Sequence, residues 1–504
     1  MPKLRKCLIA NRGEIAVRII HACRELDIAT VAVYSEADSN ARHVQLADEA
    51  YCIGEPAPEA SYLRIDKLLD VAQQSGCDCV HPGYGFLAES AEFARAVLDA
   101  GLVWVGPPPE AIELMGVKTE ARTLMEKADV PLVPGYQPES PAAQEDNAAF
   151  IDAAEAIGYP VMVKAAGGGG GKGIRVVYQP QDLPQALQSA RSEARKAFGD
   201  ARIFLEKYIE TARHIEIQVL ADTHGNTVHL FERECSAQRR HQKIIEESPS
   251  PLLDDTIRAQ MGAAAVAAAQ AVGYVNAGTV EFIATPDGQF YFLEMNTRIQ
   301  VEHPVTELVT GQDLVQLQFR IAGGEALPFS QDDLRQQGHA IECRIYAEDA
   351  QNNFLPAIGP VLQFIPPQMP NVRVDSGIQS GDAITIHYDP MIAKIIVHAP
   401  TREQAIRRMQ HALANTVILG TTTNIAFLQA LLAHPVFLNG EVDTRFVDTH
   451  LEALLPPAQP LSPEVLIAAA LHEMNAAVPT TTATDTDGDI FSPWAKTDGF
   501  RIGG

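Results

Sequence analysis

The stretch Gln289–Glu307, QFYFLEMNTRIQVEHPVTE, constrains the fold more than any other part of this 504-residue chain. It alternates at period two. Glu294, Asn296, Arg298, Gln300 and Glu302 fall on one side, and Leu293, Met295, Thr297, Ile299 and Val301 on the other. Such alternation marks a half-buried strand. A polar face turned to water is a loose mix of Lys, Thr, Ser and Glu. Here carboxylates and amides flank one guanidinium. A strand rises roughly 3.3 Å per residue, so Glu294 and Glu302 would stand about 26 Å apart if the stretch were fully extended. One small site cannot use both ends of that row. The expectation is a bend after Asn296, with the two ends serving different parts of a long substrate. Glu294 and Asn296 then suit a metal, and Arg298 and Glu302 a small anion and its proton. The plainer alternative is a charged face with local ion pairs, which contribute little.

Apolar residues make up 46% and charged residues 20% of the chain, an ordinary globular balance, and the length allows two to four domains. The net charge of −25 argues against nucleic acid or an anionic membrane as partner. Anionic substrates would need a local concentration of cations, and Arg239, Arg240, His241 and Lys243 supply one. The seven cysteines lack the repeated C-x-x-C of a zinc site and read as reduced, mostly buried thiols of a cytosolic protein. The first residues do not read as a signal peptide, and no apolar run reaches the length of a membrane span.

In chain order, Lys6–Ala10, Glu14–Leu26 and Ile28–Tyr34 read as strand, helix and strand, the opening of a parallel sheet. The turn Asn11-Arg12-Gly13 lacks the three glycines of a dinucleotide site. A second such unit turns at His81–Phe86. One helix is expected over 110–130 with Lys118 exposed, and a linker over 138–146. A strand ends at Lys164, and Gly167, Gly168, Gly169, Gly170 and Gly171 lead to Lys172 and a further strand. Five glycines between two strands fit a loop that closes over a polyphosphate with its N–H groups. No Ser or Thr follows the lysine, so this is not a Walker A loop. Asp287-Gly288 turns a hairpin, making Glu281 and Glu294 cross-strand neighbours. Facing carboxylates repel unless a divalent cation is shared, and hard oxygen ligands suit Mg²⁺.

Six blocks in order, ANRGEIA at 10–16, HPGYGFLAE at 81–89, GGGGGKG at 167–173, RRHQK at 239–243, EMNTRIQVEHPVTE at 294–307 and HAIECRIYAED with FLP at 354–356, resemble the biotin carboxylases of the ATP-grasp group over roughly residues 3–450. The family usually has Leu where Ile299 stands. The resemblance implies an α/β chain, α+β in its C-terminal part. It implies an ATP-grasp fold with a Rossmann-like parallel-sheet domain at 1–115, an ATP-grasp domain at 116–325 including a mobile lid at about 135–205, and a C-terminal mixed-sheet domain at 326–450. A helical and linker tail would cover 451–504.

The same resemblance implies that ATP and bicarbonate form carboxyphosphate, which carboxylates N1 of biotin. It implies nucleotide contacts from Lys118, Lys164, the glycine loop, Glu206, Lys207, Ile209, His214, Gln238 and His241. It implies Mg²⁺ or Mn²⁺ on Glu281, Glu294 and Asn296. Bicarbonate would be held by Lys243, Arg298, Gln300 and the Val301 backbone, with Glu302 as base and Arg344 steadying the biotin enolate. Phosphoryl transfer asks chiefly for positioning and charge neutralisation, and a planar anion suits a guanidinium fork. Another ATP-grasp carboxylate ligase would share the metal carboxylates but lack RRHQK and RIQVEHP. A non-catalytic assembly subunit would have lost a metal or base residue. Implied partners are a biotin carboxyl carrier, a carboxyltransferase and a second copy in a homodimer. No Met-Lys pair occurs, and SPWAKTDGFRIGG resembles the start of the segment that follows the carboxylase domain in long α subunits. The biotin is therefore expected on a separate carrier or on a domain outside this sequence.

Overall fold

The computed structural model describes residues 4–138, 140–166, 174–240, 242–455 and 462–476. Strands are labelled in chain order, omitting those of the small two-stranded sheets. The opening apolar runs form a parallel sheet. β1 (Lys6–Ile9), β2 (Ala29–Ser35), β3 (Glu49–Gly54), β4 (Cys79–His81) and β5 (Val103–Trp104) pair in the order β3-β2-β1-β4-β5. Leu8, Ile9, Val31, Val33 and Val80 are all fully buried, because helices cover such a sheet and its strands need not alternate. The turn after β4 carries Tyr84 and Glu89 away from the sheet.

The expected single helix over 110–130 is two, Pro109–Gly116 and Lys118–Lys127. Val117 between them is extended, at φ −108° and ψ 102°. Glycine followed by a β-branched residue is a weak point in a helix. The break sets Lys118 at the start of the second helix.

β6 (Gly135–Tyr136), β7 (Val161–Ala165), β8 (Arg175–Val177) and β9 (Ile203–Lys207) form an antiparallel sheet in the order β6-β9-β7-β8. Phe150, Val161, Val163, Leu183, Leu187 and Leu205 make its own small core. The supposed linker 138–146 contains the helix Pro141–Glu145, whose Ser140 hydroxyl accepts from the Ala143 N–H at 3.2 Å. Asp146 caps the next helix in the same way. Local capping chemistry outweighed the loop-like composition there. The glycine run and the reading placed on it lie outside the described residues.

The largest sheet is antiparallel throughout. β10 (Arg213–Ala221), β11 (Thr227–Arg239), β12 (Gln242–Ser248), β13 (Asn276–Ala284), β14 (Phe290–Asn296), β15 (His339–Tyr346), β16 (Val372–Ser376) and β17 (Met391–Ala399) run in the order β14-β13-β10-β11-β12-β15-β17-β16. The C-terminal strands thus extend the sheet that begins with β10 instead of forming a large sheet apart. Ile341, Cys343 and Ile345 face the helix Arg402–Ala414 side, while Ala340 and Ile396 meet Val305 and Val309 of the helix His303–Thr310. Gly377 lies so near the first helix that a Cβ there would stand 2.5 Å from the Glu14 nitrogen. Only glycine permits that approach, which joins the C-terminal segment to the N-terminal sheet.

Residues 457–504 form a separate unit, of which the helix Pro463–Ala476 is described. Among the described residues no helix is long and apolar enough to cross a membrane.

Candidate active site

The alternation over 289–307 is a strand only as far as Asn296. The chain then leaves the sheet, as the spacing required, and enters a helix at His303. Both sides of the stretch turn inward: Asn296, Gln300 and Glu302 are buried along with Met295, Thr297 and Ile299. The polar row is therefore a lining and not a solvent face.

Glu216, Glu281 and Glu294 lie in one row across β10, β13 and β14, through the partners Glu216↔Glu281 and Glu281↔Glu294. Lys243 on β12 reaches across this row. Its ammonium donates to Glu216 Oε2 at 2.5 Å, Glu302 Oε1 at 2.6 Å and Glu281 Oε1 at 2.9 Å. Burial would lower the lysine's pKa, but the three carboxylates push it well above the ordinary value. Asn296 Nδ2 and Gln300 Nε2 also donate to Glu281 Oε1, each at 2.9 Å. His214 Nε2 lies 2.9 Å from Glu281 Oε2, off the line of a hydrogen bond.

Glu302 is clamped between Lys243 and Arg344, whose Nη2 donates to Glu302 Oε2 at 3.0 Å. Burial would raise its pKa, but Lys243, Arg344 and Arg233 outweigh that and hold it well below the carboxylate range. The group is ionised and able to accept a proton. Arg298 stands apart from this clamp. It donates to Glu89 Oε2 at 3.0 Å and to Asn296 Oδ1 at 3.0 Å. The Val301 carbonyl accepts from the buried Lys394 ammonium at 2.6 Å.

Glu294 is the half-open member of the row, with 42% of its side chain exposed and Lys118 Nζ 3.4 Å away. Glu281, Glu294 and Asn296 offer hard oxygens on adjacent strands, and Glu294 still faces solvent. That donor set fits a magnesium ion.

The remaining expected residues lie elsewhere. At the sheet β6–β9, Lys164 and Arg122 both donate to Glu206. The Lys207 ammonium donates to the Gly158 and Tyr159 carbonyls at 2.8 and 2.9 Å, and its N–H to Pro134 O at 2.8 Å. The Lys207 donors are thus engaged within the protein. Ile209 lies two residues past the end of β9. Gln238 is buried in register with Lys243. His241 lies outside the described residues. In the basic cluster, Arg239 pairs with Glu348 at 3.1 Å and stacks on Phe354, while Lys243 enters the carboxylate row. The Cys235 thiol is fully buried and raised by burial, and all seven cysteines are free.

Sequence reading missed Arg233. This fully buried arginine donates to Glu216 Oε1 at 2.5 Å and to Gln300 Oε1 at 2.6 Å. It also reaches Gln218, Thr279 and Thr306. The signal was Glu-Arg-Glu at 232–234 inside a strand that had to be buried. Glu89 was missed as well, because nothing local ties a turn at 81–89 to Arg298.

Comparison with known proteins agrees across the chain. Residues 3–112 match the family model for the biotin carboxylase N-terminal domain. Residues 117–330 match the carbamoyl-phosphate synthase L chain ATP binding domain, and 342–449 the biotin carboxylase C-terminal domain. The chain is 53% identical over 448 residues to Biotin carboxylase 1 of Bacillus subtilis, covering 89% of this chain and 99% of that protein. It is 48% identical over 502 residues to the mitochondrial methylcrotonoyl-CoA carboxylase subunit alpha of Dictyostelium discoideum, covering 99% of this chain and 70% of that one. Among solved structures it resembles the biotin carboxylase domain dimer of Hydrogenobacter thermophilus 2-oxoglutarate carboxylase, in complex with MgADP, ADP and bicarbonate. The TM-score is 0.85 and the identity 46%, over 91% of this chain and 100% of that one.

Proposed function

The chain belongs to the biotin carboxylase family, and from that premise we propose the residue roles by which it carboxylates biotin with ATP and bicarbonate. The observation that carries the assignment is the clamp of Lys243 and Arg344 on an ionised Glu302. Lys243 and Arg298, with Gln300 and the Val301 backbone, receive bicarbonate. An anion arriving there competes with Glu302 for the lysine, which returns basicity to the carboxylate as the substrate's proton comes within reach. Glu302 then takes that proton, and the freed oxygen attacks the γ-phosphorus of ATP as ADP leaves. Arg344 steadies the charge that develops on the biotin ureido oxygen when N1 is carboxylated. Glu281, Glu294 and Asn296 would hold Mg²⁺ or Mn²⁺, which neutralises phosphate charge. Lys118, Lys164, Glu206, Lys207, Ile209, His214, Gln238, His241 and the glycine loop meet the nucleotide.

The parts 1–115, 116–325 and 326–450 act in this reading as N-terminal, ATP-grasp and C-terminal portions, with 451–504 as a tail. Biotin arrives on a separate carrier or on a domain outside this sequence, a carboxyltransferase takes the carboxyl group onward, and two copies pair as a homodimer. Free cysteines support a reducing compartment, cytoplasmic on this reading. The purified chain should hydrolyse ATP in a bicarbonate- and biotin-dependent way. A biotinylated carrier domain should be carboxylated much faster than free biotin, because docking raises the effective concentration. ATP hydrolysis indifferent to both biotin forms would overturn the assignment.

The sheet β6–β9 has its own core, and the glycine run falls between β7 and β8 in sequence, so residues at about 135–205 act as a lid. Their amide exchange should slow on addition of MgATP. Unchanged exchange would reduce the loop to a connector.

A further inference from the structure

Behind Arg344 the sheet buries two acids for which the reaction described above has no use. Glu246 on β12 and Glu342 on β15 are direct cross-strand partners, and both are fully buried. Glu246 Oε1 accepts from Arg344 Nε at 2.6 Å. Glu246 Oε2 and both oxygens of Glu342 have no hydrogen-bond partner. Side chains directly opposed in an antiparallel pair come within about 4.5–5.5 Å at Cβ. Two carboxylates that close, with three unsatisfied oxygens and no water-facing side, cannot both stay ionised without a large penalty. Lys394 beneath them is committed to Val301 O at 2.6 Å and lies 3.2 Å from Glu14.

Resting on the role assigned to Arg344, we propose that Glu246 and Glu342 hold one proton between them and act as a positioning pair. Their single remaining charge fixes the Arg344 guanidinium for biotin. Arg344 joins the pair to the reacting groups, since one edge binds Glu246 and another binds Glu302. The charged and titratable groups around the pair include Arg344 and Cys343 on β15, Lys394 on β17, Lys243 on β12, Cys235 on β11, Glu302 before the helix at 303, and Tyr84 from the turn after β4. Burial raises both acids. Glu246 rises to about 7 despite Arg344 and Lys243, and Glu342 stands well above the ordinary value despite Lys394. As pH falls through neutrality the pair gains a second proton, Glu246 becomes neutral, and Arg344 loses its anchor on that side.

The test is the pH dependence of kcat/KM for biotin, with saturating MgATP and bicarbonate. In the unaltered enzyme kcat/KM for biotin should fall below about pH 7 through a rise in KM, with KM for bicarbonate unmoved. Glu342→Gln puts a neutral amide where the protonated partner stood, so the acidic limb should stay within about half a pH unit of its place. Glu246→Gln should raise KM for biotin about tenfold at every pH and abolish the limb. Infrared spectra of the unaltered protein keep the idea testable if a variant fails to fold. A protonated carboxyl band should be present at a pH about two units above the limb and absent there in Glu342→Gln. A limb moved down by about a pH unit or more in Glu342→Gln would mean that Glu342 is charged there, and that result, or no protonated carboxyl in the native protein, would overturn the pair. Arg344→Gln with normal KM for biotin would instead overturn the role of Arg344, a separate result from the infrared one.

Discussion

Glu302→Gln should abolish most biotin-dependent turnover while leaving ATP binding intact. A positioned base contributes about 10²- to 10⁴-fold, and that is the expected loss in kcat. The substitution keeps the side chain's size, and its carbonyl oxygen still accepts from Lys243 or Arg344. It removes only the charge that takes the proton of bicarbonate. The KM for ATP should change little, because no nucleotide contact passes through Glu302 in this assignment. Steady-state assays with a biotinylated carrier read both quantities. Turnover within a few-fold of the unaltered enzyme would remove Glu302 from the mechanism and leave its clamp as a purely structural feature.

Arg233→Met should be the most damaging substitution for stability. The arginine is wholly buried and bonded to Glu216, Gln218, Thr279, Gln300 and Thr306. Methionine matches the length of the stem but satisfies none of these acceptors. Breaking a buried ion pair from one side costs about 3–5 kcal/mol, since the partner charge stays behind in a dry site. Glu216 would retain Lys243 alone and draw it from Glu302. Activity should therefore fall together with the unfolding midpoint measured by calorimetry. A variant within about 1 kcal/mol of the unaltered protein would mean that water or a rearranged Lys243 replaces the guanidinium.

Much of this molecule could be read before its structure. The hairpin at Asp287-Gly288 forms, and Glu281 and Glu294 are register partners, though a shift in register between Glu281 and Phe282 sets that pairing and the turn does not. The bend after Asn296 was one of two ways to accommodate the length of the polar row, and the strand does end there. The elements that escaped did so for physical reasons. Val117 breaks a helix that composition would have continued, and Ser140 and Asp146 cap helices inside an apparent linker. Arg233 and Glu89 escaped because their partners lie far off in sequence, and period-two reasoning sees only one strand at a time. The Glu246 and Glu342 pair escaped for a related reason: either glutamate alone is an ordinary strand residue, and only the register makes them a pair.

Three donors converge on Glu281 Oε1: the Lys243 ammonium and the amides of Asn296 and Gln300. On the assignment above, one atom is thus shared by the parts that receive nucleotide and those that receive bicarbonate. Whatever draws that oxygen toward one ligand loosens its hold on the other's receptor. Linkage of this kind is reciprocal, and the factor by which the first ligand alters the second's affinity is returned unchanged. Scarcity of nucleotide then also becomes scarcity of bound bicarbonate, so neither is held idle while the other is missing.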